Sequence, residues 1–229
     1  MNGNTIVYVL DDDSRVRKSL EMLLSSAGYS VKQFASPDAF LAFPKPNLPS
    51  CLVLDLNLGE TTGLELQQRI PGEAALPVIF LSGFGDISTT VKAMRGGAIE
   101  FLSKPIDESL LFPAIDSALR VAEERWNERE AQSSLWRKYE TLTRREQQVL
   151  PYVVSGFLNK QTAYELGTSE ITIRIHRGQI MRKMGADSLA HLVRIAVKLG
   201  IPESSWNTAQ RHGLSASSGQ NWHSEAWAS

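Results

Sequence analysis

The sequence predicts two folded parts of different class: an α/β domain on a doubly wound, five-stranded parallel sheet, and a smaller all-α domain of four helices, joined by a long helical linker. Three observations predict it. Five short apolar runs alternate with helical patterns through the first half, which with right-handed crossovers makes a parallel sheet with helices on both faces. The run at Cys51–Leu54 is continuous rather than alternating in polarity, as a strand buried on both faces reads. The charge also divides: residues 1–122 carry ten Lys/Arg against fourteen Asp/Glu, and residues 141–202 carry nine against four. The near-neutral total therefore conceals an acidic first half and a basic second half suited to a polyanion.

Taken in order, Thr5–Leu10 is the first apolar run, and it ends in Asp11-Asp12-Asp13-Ser14. A helix follows on Val16, Leu20, Leu23, Leu24 and Ala27, capped by Asp13 or Ser14 and stopped by Gly28. Tyr29–Phe34 reads as the second strand, Ser36-Pro37 opens a short helix through Phe43, and Pro44–Pro49 is a loop. The third strand delivers Asp55 at its carboxyl end, and Gly59 and Gly63 bracket a polar loop before a helix over Gly63–Ile70. Pro77–Leu81 is the fourth strand, followed by a polar turn over Ser82–Asp86 and a helix to Arg95; Ala98–Leu102 is the fifth, ending in Ser103-Lys104-Pro105.

In open α/β sheets ligands bind outside the carboxyl ends of the strands. Here those ends deliver Asp11 and Asp12, Asp55, Ser82 and Lys104. A lone Asp after a strand is most often a cap or turn residue, so Asp55 matters only in company. Three neighbouring carboxylates stay ionised when a cation sits among them, and Mg2+ suits one or two carboxylates plus waters and phosphate oxygens. Asp55 is then free to attack phosphorus as aspartyl-phosphate-forming carboxylates do. Lys104 can neutralise a phosphoryl oxygen, and Ser82 can donate to another. Capping alone would not bring a lysine to the acids; Asp13, by contrast, is read as a cap.

From Asp107 to Thr141 the pattern is helical, with Pro113 as its one strong breaker and a kink expected near Ser109. Leu119, Ala122, Trp126, Leu135, Trp136 and Tyr139 are interspersed with mixed charge, a partly apolar face that either packs on its own domains or pairs with a second chain. Thr143 with Glu146 three residues on is the capping-box signature. Asn159–Leu166, the turn Gly167-Thr168-Ser169 and Glu170–Met184 then read as a helix-turn-helix, closed by a helix over Ser188–Leu199. Ile173, Ile180 and Met184 make one core stripe. Arg174, Ile175, Gly178, Gln179 and Arg182 point away from it, where Arg can read guanine and an aliphatic group a thymine methyl, while Lys160, Thr172, Arg177 and Lys183 are placed to meet phosphates.

The fragments Leu10-Asp11-Asp12-Asp13, Leu54-Asp55-Leu56, Phe80-Leu81-Ser82-Gly83 and Phe101-Leu102-Ser103-Lys104-Pro105 together resemble the receiver domain of two-component response regulators, a flavodoxin-like fold. The resemblance implies that Asp55 is the phosphoacceptor, Asp11 and Asp12 the metal acids, Asn57 a metal ligand through its backbone carbonyl, Ser82 the switch hydroxyl and Phe101 the switch aromatic. One departure is Leu58-Gly59 where that family usually carries Met-Pro, from which a more mobile loop is expected. Leu142-Thr-x-Arg-Glu146, Gly156-x-x-Asn159-Lys160-Gln161 and Thr172-Ile-x-Ile-His176-Arg177 with Lys183-Met184 are similar to the LuxR-type DNA-binding domain of the FixJ and StyR branch; His176 is read as a packing residue.

The resemblance implies domains at 1–120 (receiver), 121–140 (linker) and 141–202 (DNA-binding); it does not cover the tail at 203–229, which is Ser-rich, Trp-containing and poor in aliphatics and is expected to be disordered. It also implies a transcriptional regulator phosphorylated by a sensor histidine kinase, homodimeric when phosphorylated, bound to promoter DNA and acting on RNA polymerase. It implies no enzyme beyond the protein's own phosphorylation chemistry. No apolar run approaches a membrane span and no signal-peptide pattern opens the chain, so a cytoplasmic location is expected. A single Cys51 excludes internal disulfides. One rival, an aspartyl-phosphate hydrolase, needs a second Asp two residues after the nucleophile, where Asn57 stands; another is a DNA binder whose receiver serves only in dimerisation.

Overall fold

The structure, a computed structural model, describes residues 5–59, 61–70, 76–83 and 87–201. The expected turn residues Phe84–Asp86 and the tail at 203–229 lie outside the described residues. Contacts divide the chain into two compact units, Met1–Arg129 and Glu130–Ser229.

In the first unit β1 (Ile6–Leu10), β2 (Val31–Phe34), β3 (Ser50–Asp55), β6 (Val78–Ser82) and β7 (Glu100–Ser103) form one parallel sheet in the order β2-β1-β3-β6-β7. Successive side chains in a strand face opposite sides, and each side has a core of its own. Val7, Val9, Cys51, Val53, Ile79 and Leu81 pack against α1 (Ser14–Ser26) and the start of α5 (Glu108–Glu140) through Leu20, Leu24, Leu111 and Ile115. Tyr8, Leu10, Leu52, Leu54 and Phe80 pack on the other side with Phe40 of α2 (Pro37–Ala42), Leu66 of α3 (Gly63–Arg69) and Ala93 of α4 (Ile87–Arg95). The sheet is thus apolar on both faces because helices cover both. Truncating a residue such as Leu54, fully buried, to Ala would cost about 2–5 kcal/mol.

Local signals act as read. Asp13 caps α1, its carboxylate accepting from the N–H of Arg15 at 2.8 Å, and Ser36 caps α2. Asp107 opens α5 by accepting the Ser109 N–H, and the helix is continuous through Pro113, which lies within its first two turns. The stretch read as a helical linker is the second half of α5, one helix that runs from Glu108 to Glu140 and crosses the division between the units. Its first part is held to the sheet unit by Tyr29 Oη donating to Asp116 at 2.6 Å and by Trp126 Nε1 donating to Asn47.

The stretch after Asp55 forms a short antiparallel ladder, β4 (Asn57–Leu58) with β5 (Thr61–Thr62). Gly59 takes a positive φ of 73°, which permits the reversal. Thr62 then caps α3 in a capping box with Glu65, so both ends of the segment are tied.

The second unit holds α6 (Arg144–Val154), α7 (Asn159–Glu165), α8 (Glu170–Met184) and α9 (Leu189–Lys198). Val149, Leu150, Val153, Ala163, Ile173, Ile180, Met184, Leu192 and Ile195 make its core, with Leu135 and Tyr139 of α5 packed on it. The Thr143–Glu146 capping box is formed.

Candidate functional site

Register brings the strand ends of the first unit level: Leu10 pairs with Leu54, Asp55 with Leu81 and Ser82 with Ser103. The residues just beyond, Asp11, Asp12 and Lys104, therefore stand beside Asp55 and Ser82. The sheet order reverses between β1 and β3, so this edge is also the topological switch point where such sheets take their ligands. The N–H of Lys104 donates to the Ser82 carbonyl at 2.7 Å, and its side chain crosses the edge. Its Nζ lies 2.7 Å from Asp11 Oδ2 and 3.1 Å from Asp55 Oδ2. Asp11 Oδ1 accepts the N–H of Asp13, which fixes that carboxylate.

Burial, the largest influence, holds the Asp55 carboxyl above its ordinary value; Lys104 pulls it down without reversing the rise, and Asp11 adds to it. Burial alone would depress Lys104, but its bonds to Asp11 and Asp55 outweigh that, so the ammonium stays charged at neutral pH. Oxygens of Asp11, Asp12 and Asp55 lie within 4.8 Å of one another. Three carboxylates against one ammonium leave an excess of negative charge, which a hard divalent cation with oxygen ligands offsets. Asp12 is exposed, so the cluster opens to water and to phosphate oxygens, and the donor set fits Mg2+.

Ser82 is fully buried and, among the described residues, its Oγ has no hydrogen-bond partner. Phe101 is half-buried, its ring 6.4 Å from that of Phe80. Asn57 is exposed at the start of β4. Gly63 meets a steric need: a Cβ there would lie 2.5 Å from the Asp55 carbonyl oxygen and 3.0 Å from the Phe80 ring. Sequence reasoning missed Arg17, whose Nη1 donates to the carbonyls of Asp11 and Asp12 at 2.8 and 3.0 Å and so orients the acid pair. An arginine in the first turn after consecutive acids was the available signal. Asp13 is a cap, as read, and Arg15 beside it lowers its carboxyl to about 2.

In the second unit α7 and α8 are joined by a turn through Gly167, and Ser169 caps α8 by accepting the N–H of Thr172. Ile173, Ile180 and Met184 are fully buried. The exposed residues of α8 are Glu170, Ile171, Arg174, Ile175, Gly178 and Arg182; Lys160 is exposed on α7, and His176 is half-buried. Three residues expected at phosphates are engaged within the protein. Thr172 Oγ1 bonds Ser169 Oγ, Arg177 Nη1 donates to the Phe157 carbonyl at 3.1 Å, and Lys183 pairs with the buried Glu146 at 2.7 Å. The reason is local: α8 lies on α6, and these side chains satisfy acceptors at the helix ends beside them.

Comparison with known proteins agrees with both halves. Residues 7–116 match the response regulator receiver domain, and residues 140–196 match the bacterial regulatory proteins of the luxR family. The chain is 43% identical over 197 residues to response regulator protein TodT of Pseudomonas putida, covering 85% of this chain and 86% of that one. It is 39% identical over 196 residues to transcriptional regulatory protein FixJ of Azorhizobium caulinodans, covering 85% and 93%. Among solved structures it resembles response regulator StyR, with a TM-score of 0.76 and 43% identity over 85% of this chain and 99% of that one. No helix among the described residues is long and apolar enough to cross a membrane. An acidic pocket at the switch point of a receiver sheet, a separate helix-turn-helix and relatives that match across both make this chain a member of the response regulators that join a receiver to a LuxR-type DNA-binding domain, a family of transcription regulators.

Proposed function

We propose that Asp55 accepts a phosphoryl group from a sensor histidine kinase and that phosphorylation controls binding of promoter DNA by α8. The observation that carries this reading is Lys104 bridging Asp11 and Asp55 on the same edge where the buried Ser82 hydroxyl has no partner among the described residues.

An Asp55 carboxylate oxygen forms the new bond to phosphorus as the donor's P–N bond breaks. Lys104 offsets one phosphoryl oxygen and Ser82 donates to another, so positioning and charge stabilisation carry the step. Asp11, Asp12 and Asp55, with the backbone carbonyl of Asn57, would hold Mg2+, which when bound neutralises the charge brought in by the phosphoryl group. Phe101 follows Ser82 inward, altering the α4–β7 surface so that two receivers pair. The resulting homodimer presents two copies of α8 to half-sites about one helical turn apart. There Arg174, Ile175, Gly178 and Arg182 face base edges and Lys160 a phosphate, while Thr172, Arg177 and Lys183 hold the helix in place. Transcription regulation then engages RNA polymerase, and the only chemistry is the protein's own phosphorylation and dephosphorylation.

Incubation with acetyl phosphate and Mg2+ is expected to add one phosphoryl mass, and Asp55→Asn to abolish the gain. An unchanged mass in the parent protein overturns the reading. Equal promoter affinity with and without a phosphate mimic would favour a receiver that serves only in dimerisation.

A further inference from the structure

The outer face of α8 carries an apolar stripe that the charge pattern does not explain. Ile171 and Ile175 are 63% and 58% exposed, and with Gly178 and Arg182 they follow at intervals of four, three and four, one continuous line along a helix. The core of the unit is complete without them, since Ile173, Ile180 and Met184 fill it. β-Branched residues are also indifferent helix formers, so an exposed pair of isoleucines adds nothing to the stability of α8. The stripe is bordered by the exposed cations Arg174 and Arg182, in a unit whose 141–202 segment carries nine basic against four acidic residues. An apolar line edged by cations is complementary to the floor of a DNA major groove, where the thymine 5-methyl is the apolar group among the base edges.

We infer that Ile171 is a sequence-reading residue which, with Ile175, recognises two thymine methyls in each operator half-site. This rests on the DNA-binding reading above and extends it to the sequence recognised. The two side chains stand one helical turn apart, about 6 Å along the axis, which matches about two base-pair steps at roughly 3.4 Å each. The preferred half-site therefore carries two thymines separated by one base pair, on either strand. Gly178, with no atom within 4 Å of where a Cβ would stand, continues the line without bulk and lets the groove approach the backbone.

The test uses the full chain, phosphorylated with acetyl phosphate, and double-stranded DNA recovered by it from a random pool. Recovered duplexes are resynthesised with uracil in place of thymine at single positions, which removes the methyl and leaves every hydrogen-bonding group. Two positions are expected at which uracil weakens the parent protein about fourfold each. Ile171→Ala should lose sensitivity at one of them and Ile175→Ala at the other, with the salt dependence of binding unchanged, since neither touches a phosphate. Both residues are exposed, and unchanged thermal melting will show that the variants fold. Recovered duplexes whose affinity ignores uracil, or an Ile171→Ala protein as sensitive as the parent at both positions, overturn this inference alone. A pool from which nothing is recovered overturns the DNA-binding reading and this inference with it.

Discussion

Lys183 Nζ stands 2.7 Å from Glu146 Oε2 and 3.1 Å from the Thr141 carbonyl, fastening the last turn of α8 to the first turn of α6 and to the residue after α5. Glu146 is buried, so removing its partner leaves a carboxylate uncompensated. Lys183→Met is expected to destabilise the second unit by about 3 kcal/mol or more, read by chemical denaturation. It should weaken DNA binding without reducing its salt dependence, whereas Lys160→Ala should reduce that slope by about one contact's worth.

The same pair sets an acid limit. Burial pushes Glu146 up, but Lys183 and the capping N–H of Thr143 pull it further down, leaving its carboxyl below the ordinary value. A group whose folded pKa is depressed contributes stability above its unfolded pKa and loses it as pH falls through the folded value. The second unit should therefore lose stability as pH drops below the ordinary glutamate range, near 4.5, and Glu146→Gln should flatten that limb. Melting curves across the acid range check it.

Gly178 sits within α8 with open space around it, so its lack of a side chain answers no packing need. Gly178→Ala should stabilise the unit by about 0.5–1 kcal/mol through helix propensity while weakening operator binding. Greater stability with undiminished affinity would show that the position is not read.

Ser82 Oγ is buried without a partner among the described residues, an arrangement that costs about 1–3 kcal/mol. Ser82→Ala should leave the unphosphorylated receiver as stable or more so. Its phosphorylated form should lose the affinity gain for DNA, because the acceptor that completes the hydroxyl arrives with the phosphoryl group. Melting and operator titration of both forms check the two halves of the claim.

Asp55 is held above its ordinary pKa mainly by burial, so its ionised form burdens the metal-free fold. Asp55→Asn is expected to raise the melting temperature of the metal-free receiver. Mg2+ should stabilise the parent by about 2.7 kcal/mol at a hundredfold excess over its Kd. Chelation should remove that gain, and Asp11→Ala should prevent it.

Much of this was legible in the residues. The five strands, the caps at Asp13, Ser36 and Thr143, and the core stripe of α8 follow from local rules, and their register then gathers Asp11, Asp12, Asp55, Ser82 and Lys104. What escaped depends on neighbours distant in sequence or on geometry that composition does not encode. The pairing of Asn57–Leu58 with Thr61–Thr62 carries no apolar alternation by which a strand could be read. Arg177 and Lys183 look like any outer cations until the acceptors at Phe157 and Glu146 are seen. Ile171 stands one helical turn before Ile175 and shares its outer face, and its 63% exposure leaves it outside the core.

Gly63 leaves no room above the Asp55 carbonyl, and the N–H groups of Leu56 and Gly63 are bonded to Leu81 and Leu56. The main chain at Asp55 is therefore wedged, and on the phosphorylation proposed above it cannot retreat as the side chain gains bulk and negative charge. On that proposal the yielding comes from across the edge, where the Ser82 hydroxyl and the half-covered Phe101 ring stand, so the direction in which a signal would leave the pocket is decided by the missing side chain at position 63.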